Sequence, residues 1–347
     1  MRLRLPLVDR DKVMQLHIHI EHWPFKAPFR ITGYTFTESH IIVVTATEHG
    51  VSGRGEAAGV YYRGETPQTM VRQLEAIRPL AEQGLTREAL RTLLPPGGAR
   101  NALDCALWDL EARRSGVPAW RIAGLDAPKP LLTTYTIGAD TAEAMARTAA
   151  SFQGVSRLKL KLTGENDVAR LWAVRAARPD AWIGVDANQA YDVVSLRGVL
   201  PELLEADVQL IEQPVRVGCE QELTGFDSPI PLAADESVQG LSDLPKAAGL
   251  FDVVNIKLDK CGGLTEALAM VAEIRRLGMK AMVGCMEGTS LAVAPACLAG
   301  TKCDLVDLDA PIFLAEDRPP AALYKEGTVH CPEGWGMPLA AHGRTGA

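Results

Sequence analysis

The alternation that runs from about residue 131 to 309 constrains the fold more than any other feature of this chain. Strand-like runs stand at 131–137 (LLTTYTI), 157–162 (RLKLKL), 182–187 (WIGVDA), 208–213 (VQLIEQ), 231–235 (PLAAD), 252–258 (DVVNIKL), 280–286 (KAMVGCM) and 302–309 (KCDLVDLD). Helix-like spacers separate them, most clearly 167–178 and 264–277, the second followed at once by Gly278. Strict strand–helix alternation is the pattern of a parallel sheet, whose strands are apolar almost throughout because both faces are covered. Eight such units are the number that closes on itself. The expectation is therefore an α/β fold, a (β/α)-barrel over residues 121–314.

The first 120 residues have a different rhythm. Segments 15–20, 34–37 and 40–47 alternate with period two, Glu48-His49-Gly50 reads as a hairpin turn, and helical stretches follow at 67–84 and 99–114. These features predict an N-terminal α+β capping domain over 14–120. Residues 315–347 lack the barrel rhythm and are expected to return to that domain. Residues 1–13 carry basic side chains but no apolar centre of a signal peptide. They read as a disordered lead-in, with Met14 as an alternative start.

Bulk composition narrows the function classes. With 47% hydrophobic residues, 347 positions suffice for a full core, yet no run of about 18 apolar residues is present to span a membrane. Net charge is −7 and no basic tract is long enough to track phosphates, which argues against a nucleic-acid partner. Seven scattered cysteines, an odd number without a CxxC pair, fit a reduced cytoplasmic compartment and mostly core packing.

The chemistry sits at the strand ends. Asp186, Glu212 and Asp235 close three successive runs at intervals of 26 and 23 residues, about one strand–helix unit each. Consecutive parallel strands would then present three acids at one rim, the rim where such barrels do chemistry. Three hard oxygen donors suit Mg²⁺ better than Zn²⁺. Lys159 and Lys161 share one face of the second strand, because side chains alternate with period two. Lys257 stands on the sixth strand, across the barrel. Two lysines flanking a metal-held carboxylate suit removal of an α proton on one side and its return on the other. The dication stabilises the resulting enediolate, and it and a second ammonium lower the lysine pKa so that the amine acts as a base. Lys260, just past its strand, reads as a solvated loop charge.

Lys159-Leu160-Lys161, Asp186-Ala187-Asn188, Glu212-Gln213-Pro214, Asp235-Glu236-Ser237 and Asn255 through Gly263 together resemble the enolase superfamily, muconate-lactonising subgroup, as does Gly53-Arg54-Gly55-Glu56. The resemblance spans nearly the whole chain. It implies a modified TIM barrel, Asp186, Glu212 and Asp235 as Mg²⁺ ligands, Lys161 and Lys257 as the acid/base pair, and Lys159 assisting the substrate carboxylate. Asp307 and Asp309, on one face of the eighth strand, resemble the Asp-x-Asp motif of dipeptide epimerases, where the pair binds the substrate's α-ammonium. Gly284-Cys285-Met286, Tyr62-Arg63-Gly64-Glu65 and Ala99 through Asp104 are similar to the L-Ala-D/L-Glu epimerase branch. The activity that this resemblance implies is Mg-dependent epimerisation of a small dipeptide from peptidoglycan turnover, by a cytoplasmic homo-oligomer.

Other reactions on the same scaffold are N-acylamino acid racemisation, o-succinylbenzoate synthesis and muconate cycloisomerisation. A silent binding protein is the non-enzymatic alternative. The barrel strands carry no histidine, against a His–Asp dyad of the mandelate racemase type. Two departures leave the dipeptide's side chains open. Gly288 stands where many dipeptide epimerases carry an acid; Glu287 comes one place earlier, with strand parity turning it away. The first loop, Arg30-Ile31-Thr32-Gly33-Tyr34, lacks a clear counterpart of the glutamate-binding Arg, which makes Arg63, Arg30 and Tyr34 the candidates for the outer side chain.

Overall fold

The computed structural model of the chain describes residues 14–339. The lead-in expected over 1–13 lies outside the described residues. Two long strands, β1 (Gln15–Ile31) and β2 (Tyr34–Glu48), pair antiparallel, and β3 (Val51–Ala57) adds to β2. The turn before β3 places His49 at φ 52° and Gly50 at φ 77°. Two consecutive left-handed residues match the twist of a two-residue hairpin. Period two then sorts the faces. Ile42, Val44 and Ala46 of β2 pack with Leu74 of α1 (Pro67–Ala81) and with Leu90 of α2 (Arg87–Leu93). Their odd-numbered neighbours Ile41 and Val43 join the barrel core instead. α3 (Gly98–Ser115) lies along this sheet and is buried on nearly every side, because it also touches the barrel. Its close approach to β3 requires glycine: a Cβ on Gly55 would lie 2.1 Å from the Ala102 carbonyl oxygen, and one on Gly53 would lie 2.1 Å from the Leu110 nitrogen.

After the short α4 (Ala119–Ile122), the run expected as one strand over 131–137 divides in two. β4 (Leu131–Leu132) pairs antiparallel with the C-terminal strand β14 (Thr328–His330), itself paired with β13 (Leu323–Lys325). β5 (Tyr135–Ile137) opens the barrel. Thr133 and Thr134 between them donate their amides to Gly327 (2.9 Å) and Val306 (3.0 Å), so the chain changes sheets in two residues. Local pattern carries no trace of this, since both partners are distant in sequence.

Seven more parallel strands follow: β6 (Arg157–Lys161), β7 (Trp182–Asp186), β8 (Val208–Glu212), β9 (Leu232–Ala234), β10 (Val253–Lys257), β11 (Lys280–Gly284) and β12 (Leu305–Asp307). Each pairs with its neighbour in sequence order, as right-handed β–α–β crossovers dictate. No continuous ladder joins β12 to β5; the Thr134–Val306 bond bridges the gap. Helices α5 (Ala142–Ser151), α6 (Asp167–Ala177), α7 (Val193–Glu205), α8 (Leu244–Ala247), α10 (Leu264–Arg276) and α11 (Ser290–Gly300) connect strands. One further turn, α9 (Leu258–Cys261), follows β10 directly.

Residues 316–339 touch both parts. Beyond the β4–β14 pairing, Arg318 forms an ion pair with Glu21, Trp335 donates from Nε1 to the Arg54 carbonyl (2.8 Å), and the Gly336 amide donates to Asp109 (2.7 Å). No helix among the described residues is long and apolar enough to cross a membrane. All seven cysteines are free; Cys105, Cys261 and Cys297 are buried and the rest half-buried.

Candidate active site

Asp186, Glu212 and Asp235 stand at the carboxyl ends of β7, β8 and β9, where parallel pairing brings them together. One carboxylate oxygen from each lies within 4.8 Å of the other two, and all three side chains are buried. Backbone and amide groups hold them. The Asn188 amide donates to Asp186 (3.0 Å), Asn255 Nδ2 to Glu212 (2.9 Å), and Gln213 Oε1 accepts from the Asp235 amide (2.9 Å). Glu212 Oε2 makes no hydrogen bond, although Lys159 Nζ is 2.8 Å away. Buried carboxylate oxygens converging on one point, with Glu212 Oε2 held by an ion pair alone, are the donor set of a hard divalent cation.

Ammonium groups crowd this point. Lys159 Nζ lies 2.7 Å from Asp307 and 3.1 Å from Asp186. Lys161 Nζ lies 2.6 Å from Asp186, and Lys257 Nζ 2.7 Å from Asp235. Lys161 and Lys257 therefore approach from the second and sixth strands, on opposite sides of the acids, and both line the chamber above them. Burial opposes the charge of Asp186, but the Lys161 and Lys159 ammoniums outweigh it and hold its pKa at about 2. Asp235 is likewise held far below the carboxylate range against burial, by Lys257 and Lys260. Burial dominates at Glu212 and raises it to about 7, against the pull of Lys159. Lys257 keeps its proton well above the usual lysine range, because Asp235 outweighs its burial.

Lys260 corrects the sequence reading. It is not a solvated loop charge but among the most deeply buried large side chains, 1% exposed. α9 turns it back beneath the site, where Nζ donates to Asp235 Oδ1 (2.6 Å), the Asp235 carbonyl (2.5 Å) and the Asn255 carbonyl (2.9 Å). A solvated lysine and a buried one look alike in sequence here; only the helical turn after β10 sets its direction.

At the far wall, Asp307 accepts from Thr134 and Lys159, and Asp309 accepts from the Thr136 amide (2.6 Å). Burial and the neighbouring Asp307 raise Asp309 to about 7. Both aspartates line the chamber with the lysines, under a roof of Phe25, Phe29 and Ile31 from the β1–β2 hairpin. Glu287 also faces in. Strand parity predicted the opposite, but β11 ends at Gly284, and parity has no meaning three residues into a loop. Burial raises the Glu287 carboxyl, while Lys257 and Lys161 pull it the other way.

Tyr34 and Arg63 are not brought to this chamber. They line a neighbouring cleft with Tyr62, Glu220 and Lys246, and Tyr34 meets the chamber only through the ring of Tyr61, 4.7 Å away. Arg30 faces outward and pairs with Asp140 at 3.4 Å. The hairpin presents Phe29 and Ile31 to the chamber and turns Arg30 and Tyr34 away from it, a placement set by tertiary packing.

Residues 141–341 match the model for the enolase C-terminal domain-like family. Residues 13–124 match the mandelate racemase/muconate lactonizing enzyme N-terminal domain. The chain belongs to the enolase superfamily, in its mandelate racemase/muconate lactonizing family. Among members of that family, the chain is 39% identical to the L-Ala-D/L-Glu epimerase of Escherichia coli (strain K12) over 312 residues, covering 89% of this chain and 97% of that one. It is 36% identical to the N-acetyl-D-glutamate racemase of Pseudoalteromonas sp. over 293 residues, covering 83% and 92%. A crystal structure of an enolase family member from Agrobacterium tumefaciens, with homology to dipeptide epimerases and with sodium and L-Ala-L-Glu bound, superposes with a TM-score of 0.90. It is 40% identical and covers 93% of this chain and 99% of that one. In this superfamily member the strand ends bring three acids, three lysines and two aspartates into one spatial group. Lys260 and Glu287 belong to the same group, and neither stands out in the sequence as a site residue.

Proposed function

We propose that this protein is a Mg²⁺-dependent dipeptide epimerase that inverts the α-carbon of the C-terminal residue, with L-Ala-D/L-Glu as its substrate. The observation that carries the reading is the placement of Lys161 and Lys257 on opposite sides of the acid cluster, with Asp307 and Asp309 on the same chamber wall. Asp186, Glu212 and Asp235 would hold the ion. When bound, it supplies Lewis-acid stabilisation of the charge that builds on the substrate carboxylate. Lys161 and Lys257 exchange the α-proton from the two faces, and Lys159 neutralises charge on the carboxylate side. Asp307 and Asp309 receive the substrate's ammonium. The phenyl rings of Phe25 and Phe29 exclude water from the exchange. The same reading takes 14–120 as the cap, 121–314 as the barrel and 315–347 as a return to the cap, in a cytoplasmic homo-oligomer without nucleic-acid partners.

A second reading has one observation in its favour. Asp307 already accepts from Lys159 and Thr134, so an N-acylated amino acid, which lacks the ammonium, fits the same wall. The relative named as an N-acetyl-D-glutamate racemase supports it. Proton exchange in D₂O separates the two. With Mg²⁺, L-Ala-L-Glu should incorporate deuterium at the glutamate α-carbon much faster than N-acetylglutamate, and Asp307→Asn should abolish that preference. Faster exchange on the N-acetyl compound, with Asp307→Asn near wild type, would overturn the dipeptide reading.

A further inference from the structure

A second metal-type cluster lies outside the chamber, on the β1–β2 hairpin. His22 and His40 are directly paired across the two strands, and Pro24 is paired with Glu38. The two pairs are adjacent on one face, so His22, Glu38 and His40 converge. Their nearest ligand atoms all lie within 4.8 Å of one another. His40 Nε2 is 2.8 Å from Glu38 Oε1, and His22 Nδ1 is 3.9 Å from Glu38 Oε2. The imidazole rings are 4.5 Å apart and stand edge to face.

From this geometry we infer a binding site for a borderline divalent transition metal of the Zn²⁺ class, separate from the acid cluster in the barrel. Tetrahedral zinc with bonds of about 2.0–2.1 Å sets its ligand atoms roughly 3.3 Å apart. The observed separations bracket that value, and rotation of solvent-facing side chains closes the difference. Two imidazoles and one carboxylate leave a position for water, a common zinc donor set. Imidazole ligands select against Mg²⁺, which takes oxygen donors and keeps its waters. The barrel acids have the opposite preference, so the two sites sort different metals.

The other histidines of β1 are excluded by parity. His19 is on the opposite face, where its Nε2 lies 2.8 Å from Glu21. The position on the hairpin is also specific. Regular pairing of β1 with β2 breaks between Pro24 and Phe29, immediately past the cluster. Phe29 and Ile31, beyond the break, roof the chamber. Ser39, between Glu38 and His40, donates from its opposite face to the Glu287 carbonyl at 2.6 Å. An ion bridging the strands here would pin the base of the hairpin whose tip covers the chamber.

The test uses full-length, tag-free protein saturated with Mg²⁺ and titrated with Zn²⁺ by calorimetry. One equivalent of Zn²⁺ is expected, lost in His22→Ala and in His40→Ala, and kept in His19→Ala and in Asp186→Asn. Co²⁺ in place of Zn²⁺ should give the intense visible absorption of a four-coordinate site, absent in His40→Ala. Circular dichroism of the surface variants confirms that the loss is not unfolding. No Zn²⁺ equivalent on the Mg²⁺-loaded wild type, or one that survives both histidine substitutions, would overturn the inference.

Discussion

Four ammoniums and six carboxylates gather at the barrel mouth, and they differ in position rather than in type. Lys161 and Lys257 face the chamber from opposite sides, so in the proposed reaction each serves one face of the α-carbon. Lys161→Ala and Lys257→Ala should each lose overall epimerisation by roughly 10²–10⁴-fold, the usual weight of a positioned acid/base group. Each should also retain α-deuterium exchange with one substrate epimer and lose it with the other. Equal loss with both epimers in both variants would contradict two-sided proton transfer. Lys260 acts from below. It touches Asp235 and two carbonyls and is walled off from solvent. Lys260→Met removes one partner of a buried ion pair, which typically costs about 3–5 kcal/mol. Thermal melts should show that loss in EDTA, with partial recovery in Mg²⁺ as the cation compensates Asp235. A melting temperature unchanged in EDTA would show that Lys260 contributes nothing to holding Asp235.

At the scale of elements, the site depends on where strands stop and on what packs behind them. β11 ends at Gly284, and the following loop is held by the cap: Glu56 accepts from the Thr289 amide at 2.7 Å, and Ser39 donates to Glu287. α9 is held likewise, with the Gly59 amide donating to Asp259 (2.9 Å) and Arg100 donating to the Gly262 carbonyl (3.2 Å). Cap residues thus orient Glu287 and Lys260 without entering the chamber. The contact of α3 on β3 is the joint that makes this possible. Gly55→Ala forces a methyl into the Ala102 carbonyl, and overpacking of this kind costs about 1–3 kcal/mol or more. A lowered denaturation midpoint is expected, in contrast to Gly198→Ala inside α7, whose added Cβ meets nothing within 4 Å and which should raise stability by about 0.5–1 kcal/mol. Both glycines are equally plain in sequence. Strand and helix identities were legible because each repeats a local period. The split of 131–137 into β4 and β5, and the inward turn of Glu287, were not, because each depends on a partner more than a hundred residues away or on a strand's last hydrogen bond.

Across the whole molecule, cap and barrel meet through acids that are buried at their junction. Burial raises Glu56 to about 7, against the hydrogen bonds from Thr289. It raises Asp259 to about 7 and Asp104 to about 6 in the same way. In the unfolded chain these groups ionise near pH 4. The folded state therefore binds more protons between about pH 4.5 and 7, and stability falls as pH rises through that window. Asp186 has the opposite sign: its depressed pKa contributes stability above pH 4 that is lost as pH falls toward 2. For Glu56 alone the upper effect is on the order of 3 kcal/mol. The melting temperature of wild type should drop between pH 5 and 7, and Glu56→Gln should flatten that drop. A Glu56→Gln profile parallel to wild type would show that Glu56 does not carry it.

Sequence alone was enough to specify the barrel, its acids at three successive strand ends and the lysines in phase on two opposite strands. Those properties follow from periods of two residues and of one strand–helix unit, which any stretch of chain displays on its own. Tertiary structure decided the rest. It buried Lys260, turned Glu287 inward, sent Tyr34 and Arg63 to the next cleft and set His22 beside His40. These outcomes depend on where an element ends and on which other element packs against it, from the adjacent strand of a hairpin to a segment far along the chain, and a local pattern has no means of recording how those elements will meet.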